Sequence, residues 1–106
     1  MKGGEKMAFS EEQIKSDIKA YIAKEGSSYA NWYVGVSDDP KARLFKDHGV
    51  REKGDRWIYQ QAYSSSAARN VESYFVNTLG TDGGTGGGGE DTDYVYAYKK
   101  EKHTNP

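Results

Sequence analysis

The chain contains no cysteine, which removes disulfides, thiol chemistry and cysteine-ligated zinc or iron–sulfur sites. It has only two histidines, His48 and His103, and they lack the spacing of a zinc-ligand pair. Charge of either sign is not in excess, because 15 basic and 16 acidic residues leave a formal net charge of −1. No global field therefore draws the protein toward nucleic acid or an anionic bilayer, and any nucleic-acid contact must come from a local basic patch. No apolar run approaches the ~20 residues that span a membrane, and "MKGGEKMAFS" lacks the apolar stretch of a secretory signal. A soluble, cytoplasmic protein with no membrane partner is the expectation. Aliphatic residues are sparse as well. Nine tyrosines and two tryptophans must instead supply much of the core, and their polar tips need partners or water.

What is present suits one domain, since 106 residues can bury a core without covalent staples. Residues 1–8 are polar and glycine-containing and read as a disordered leader, with the domain running over residues 9–100. Ser10 and Gln13 form a capping box, after which Ile14, Ile18, Tyr21 and Ile22 recur at helical spacing until Gly26. Residues 31–37 alternate as a strand, with Trp32, Val34 and Val36 on one face and Tyr33, Gly35 and Ser37 on the other. Asp39-Pro40 starts a short helix that Gly49 ends. "RWIYQQA" is a second strand, and Ser64–Ser66 cap a third helix that Gly80 terminates. "DYVYAYKK" alternates again, with Tyr94, Tyr96 and Tyr98 on one side and Val95 and Ala97 on the other. The order helix, strand, helix, strand, helix, strand predicts an α+β fold: a small three-stranded, mainly antiparallel sheet flanked by three helices. Residues 101–106 read as a frayed tail.

The glycine-rich stretch of residues 80–92 satisfies G-x-G-x-x-G only formally, because it follows a helix and precedes a strand, the reverse of a dinucleotide fingerprint. Asp82, Glu90, Asp91 and Asp93 could gather a hard cation there. A flexible solvated loop is the plainer expectation.

Glu72 is the most informative single residue. Ala68, Val71, Phe75, Val76 and Leu79 form an apolar stripe on the third helix, and Glu72 falls inside it. A buried carboxylate needs a partner. One reading is a helix-edge glutamate paired with Arg69, and the other is a functional carboxylate facing a cleft. Gly35 and Ser37 leave room beside the Tyr33 phenol, which suits either a close backbone approach or simple packing. On the short helix Leu44, Phe45 and His48 project to one side and Arg43 points away from them.

Taken together, "YVGVSDDPKARLFKDH", a tryptophan in the next strand and "AARNVESYF" resemble the GIY-YIG nuclease superfamily. Its Y-[IV]-G strand leads into a helix with R-L-x-x-H, and a later helix of the form A-x-x-x-E carries an acid. Tyr33-Val34-Gly35, Arg43-Leu44 with His48, and Ala68 with Glu72 match these pieces over residues 31–76. The resemblance implies a three-stranded antiparallel sheet and hydrolysis of phosphodiester bonds in nucleic acid with one divalent cation. Glu72 would hold magnesium or manganese, Arg43 would stabilise the phosphorane charge, and a tyrosine with His48 would activate water. The family's first strand, G-[IV]-Y, is missing before "YVG", where the first helix stands. "DYVYAYKK" is similar to that strand without its glycine and would fill the vacant slot in a circular permutation, with Tyr96 standing in for the absent tyrosine. The alternative is a non-catalytic module that binds a ligand or protein through a tyrosine-rich sheet, and a domain with no site is a third reading.

Overall fold

The computed structural model describes residues 8–84 and 92–106. Most of the leader lies outside the described residues, as does the segment 85–91 with Glu90 and Asp91. Helix α1 spans Glu11–Glu25, strand β1 Trp32–Ser37, helix α2 Ala42–Asp47, strand β2 Trp57–Gln61, helix α3 Ser65–Ser73 and strand β3 Tyr94–Lys99. A further helical segment, Tyr74–Leu79, continues α3.

Local chemistry sets the helix starts at the predicted caps, although the Gln13 side chain donates to Asp17 at 2.8 Å, so only the Ser10 half of the expected capping box forms. Ser10 Oγ accepts from the Gln13 amide at 3.1 Å, and Ser64 Oγ accepts from the Ala67 amide at 3.0 Å. Asp39 Oδ1 accepts from the Ala42 amide at 3.2 Å and starts α2. Gly26 and Gly80 close α1 and the α3 extension at φ 73° and 90°.

Helix α2 and the α3 extension are π-wound. His48 N–H donates to the Arg43 carbonyl at 2.8 Å, and Gly80 N–H to the Phe75 carbonyl at 2.9 Å, both across five residues. This winding corrects the direction expected for Arg43. At α-helical pitch Arg43 and His48 diverge, whereas a turn closed by i→i+5 bonds returns residue 48 beneath residue 43.

The α+β class is as expected, and the sheet order is β1-β3-β2 with both pairings antiparallel. The last strand in sequence is therefore the central one. Phe9 bridges the outer side of β2 through Phe9 N–H to the Gln61 carbonyl at 2.8 Å. Asp82 bridges the outer side of β1, donating to the Trp32 carbonyl at 2.8 Å and accepting from the Val34 amide at 3.0 Å. Both edges are thereby blunted against further strand pairing.

Strand alternation sends two different cores to the two faces. Trp32, Val34, Val95 and Ala97 pack with Ile14, Ile18 and Ile22 of α1 and with Ala68, Val71 and Phe75 of the α3 helix. Each fully buried isoleucine, valine or phenylalanine among them contributes about 1.5–3 kcal/mol. The opposite face carries Tyr33, Tyr96 and Tyr98, covered by Leu44 and Val50. That aromatic face, beneath the short π-wound helix, is where the candidate chemistry collects. The tail expected to fray makes defined contacts there, since Thr104 is buried and Asn105 N–H donates to the His48 carbonyl at 2.7 Å.

Candidate functional site

Tyr96 occupies the middle of the aromatic face, opposite Gly35 on β1 and Tyr59 on β2. Its ring is fully buried, and a Cβ at position 35 would stand 2.6 Å from its hydroxyl oxygen. Gly35 is thus the gap in which the phenol lies, and any larger residue would collide with it. One step along the sheet, Tyr33 stands opposite Tyr98, and their rings stack at 5.2 Å.

His48 fixes the polar end of this cluster. Its Nδ1 lies 2.7 Å from the Asn105 carbonyl oxygen and its Nε2 lies 2.7 Å from the Tyr96 hydroxyl. A carbonyl oxygen can only accept, so Nδ1 carries the proton and Nε2 accepts from Tyr96 O–H. Burial pushes the His48 imidazole below its ordinary value, which keeps the ring neutral near pH 7. The Arg43 guanidinium and the Tyr33 hydroxyl lie near enough to Tyr96 to act on its ionisation, Arg43 favouring the phenolate and Tyr33 opposing it. One phenol therefore meets a cation and a neutral base together.

The electrostatics follow from burial. Desolvation drives the Tyr96 and Tyr98 phenols well above the usual tyrosine range, with Arg43 pulling the other way in both. Burial likewise raises the Tyr33 phenol, while Arg43 lowers it and Asp82 and Glu72 add to the rise. Glu72 itself is buried on α3, and desolvation holds its carboxyl above the usual range while Arg69 opposes. Arg69, one turn back on the helix, is the charge that acts against this rise.

Tyr33, His48 and Tyr96 pack against one another around the Tyr96 hydroxyl, and the Arg43 charge acts on both phenols. Glu72 stands on the helix that covers the other sheet face, and its charge adds to the rise of the Tyr33 phenol. No family model matches this chain, and neither a curated protein nor a solved structure does.

Two participants, Tyr98 and Asn105, were not singled out from the sequence, and Asp82 was read there only as a cation ligand. Tyr98 places its hydroxyl 3.1 Å from His48 Nδ1, and the strand alternation already put it on the face of Tyr96. Asp82 bridges β1 and pairs with Lys100 Nζ at 3.3 Å, while the backbone of Gly84 runs so close that a Cβ there would lie 2.7 Å from the Tyr33 hydroxyl. Asn105 acts through its backbone, and no pattern of side chains marks such a role.

As for a metal, no group of three or more His, Cys, Asp or Glu gathers among the described residues. Among the same residues no helix is long and apolar enough to cross a membrane.

Proposed function

We propose that the chain is a divalent-metal-dependent phosphodiesterase of the GIY-YIG kind, an endonuclease acting on nucleic acid, built on a circularly permuted strand order. The observation that carries this reading is the Tyr96 hydroxyl, seated over Gly35 and bonded to His48 Nε2, with the Arg43 charge acting on it. Strand β3 stands beside β1 in the sheet centre, the slot that the absent first strand would fill. The winding of α2 supports the same reading. The family pattern R-L-x-x-H spaces arginine and histidine four apart, whereas Arg43 and His48 are five apart. The i→i+5 turn absorbs the additional residue and keeps both side chains at one phenol.

The chemistry available to the chain is coherent. Arg43 would neutralise charge that develops on a phosphorane. Tyr96 would take a proton from the attacking water as it passes its own to His48, which is neutral and ready to receive it. Magnesium is commonly held by one or two carboxylates together with water and substrate phosphates, so Glu72 would hold the cation with water until a phosphate joins it. A positive ion there would also relieve the desolvation that raises the Glu72 carboxyl. Bound, magnesium or manganese would act as a Lewis acid toward the phosphate. A cytoplasmic location, where nucleic acid is at hand, belongs to the same reading.

A second reading, a binding module, is favoured by a cavity of about 330 Å³ lined by Asp38, Asp39, Pro40, Lys41, Tyr59 and Tyr94. Tyr59 and Tyr94 present an edge-to-face pair there. Incubation with plasmid, single-stranded DNA and structured RNA in magnesium or manganese separates the two. Cleavage that disappears in Glu72→Gln and Arg43→Ala supports the nuclease. Intact substrates under all these conditions, with retained binding, favour the module.

A further inference from the structure

We propose that the segment from Glu101 to Asn105 is a working part of the site, in which the Asn105 carbonyl sets the tautomer of His48 and so makes Nε2 a proton acceptor for Tyr96. Free histidine can carry its neutral proton on either nitrogen, and only the form protonated at Nδ1 leaves Nε2 able to receive one. The ring is held in that form by Nδ1–H donating to the Asn105 carbonyl at 2.7 Å, which lies nearer that nitrogen than the Tyr98 hydroxyl at 3.1 Å. The bond is reinforced by a reciprocal one, Asn105 N–H donating to the His48 carbonyl at 2.7 Å.

The segment is anchored by its own side chains. Thr104 Oγ1 accepts from the Glu101 amide at 3.0 Å and donates to the Glu101 carbonyl at 2.9 Å, closing a tight turn. His103 Nε2 pairs with the Asp55 carboxylate in the loop after α2, and Arg51 N–H donates to that same carboxylate at 2.8 Å. Gly49, at φ 72°, ends α2 where a Cβ would stand 3.2 Å from the His103 carbonyl. The helix end and the segment are therefore fitted to each other, and the fit terminates at the imidazole. Asn105 is thus a positioning residue, with His103 and Thr104 holding it in place. In the proton transfer, Tyr96 O–H breaks as Nε2–H forms, the phenolate oxygen takes a proton from water, and Asn105 keeps the imidazolium Nδ1–H throughout.

The catalytic consequence rests on the nuclease reading, whereas the tautomer is measurable in a protein without activity. Long-range 15N–1H correlation spectra of the full-length protein, labelled at histidine, report which nitrogen of His48 is protonated. The expected wild-type result is Nδ1–H, retained in Tyr96→Phe and shifted toward Nε2–H in His103→Ala/Thr104→Ala. In the same double variant kcat falls about 10-fold to 100-fold with KM unchanged, the loss typical when an orienting partner of a working histidine is removed. Circular dichroism checks that the double variant stays folded, and if it unfolds the wild-type tautomer decides alone. An Nε2–H ring in the wild type overturns the proposal, as does a tautomer that follows Tyr96→Phe or ignores the double variant. A wild type that cleaves nothing refutes the nuclease and leaves the tautomer result standing.

Discussion

Gly35 and Tyr96 face each other across β1 and β3, and a single methyl group at position 35 would lie 2.6 Å from the Tyr96 hydroxyl oxygen. The phenol has no room to withdraw, because its ring is fully buried and its hydroxyl is bonded to His48. A missing side chain on one strand thus sets where a reactive oxygen sits on the next.

Gly35→Ala is therefore expected to destabilise the fold by about 1–3 kcal/mol, the range for a methyl group forced into a packed site. Strand conformation itself admits alanine, so the whole effect belongs to the collision. Urea midpoints would fall while the slope is unchanged, and the tautomer signal of His48 would broaden as its Tyr96 bond is displaced. An alanine variant as stable as wild type would mean that Tyr96 has another place to go.

Much of this was legible in the sequence. Strand alternation separated Trp32 and Val34 from Tyr33 and Gly35, and caps at Ser10, Asp39 and Ser64 marked the helix starts, because both signals act over a few residues. The α+β class followed from them. The direction of Arg43 did not, since a periodicity of 3.6 assumes α-helical pitch and the i→i+5 bond from His48 to Arg43 changes it. The role of Asn105 was equally hidden. Its contribution is a carbonyl, which every residue possesses, and only the folded path of the segment aims it at His48.

Arg43 separates stability from chemistry. Its side chain is 46% exposed and its contact with Asp47 is long, 3.8 Å, so Arg43→Ala should shift stability by less than about 1 kcal/mol. Under the proposed function the same change should lower cleavage by about 10²-fold or more, as expected for losing a donor aimed at developing charge. Arg43→Lys should recover little, because an ammonium lacks the planar fork that can serve phenol and phosphate together. Thermal unfolding beside single-turnover cleavage checks the pair, and a lysine variant of full activity would argue for a simple point charge.

Glu72 has a folded carboxyl raised by burial, so the folded protein binds the proton more tightly than the unfolded chain. Its contribution to stability is complete below the unfolded value and is lost as pH rises through the folded one. Glu72→Gln should thus be neutral or stabilising at pH 7, and its stability should depend less on pH above about 4.5 than that of wild type. Magnesium should raise the wild-type melting temperature by mass action and leave Glu72→Gln unmoved. Equal metal stabilisation of both proteins would place the cation elsewhere.

His48 carries the opposite sign. Burial holds its folded value below the ordinary one, so the unfolded chain binds the proton more readily. Stability from this group is complete above about pH 6.5 and is lost as pH falls through that value toward the lowered folded one. The slope in this window is at most about 1.4 kcal/mol per pH unit for one proton. His48→Gln keeps an oxygen that can accept from Tyr96 O–H and removes the titration. Denaturation of both proteins between pH 7 and pH 5 gives a difference curve in which the other titrating groups, Glu72 included, cancel. Wild type should lose stability faster than His48→Gln on acidification. Parallel curves would mean that the imidazole takes up its proton as easily when folded, and the neutral base invoked for Tyr96 would not exist.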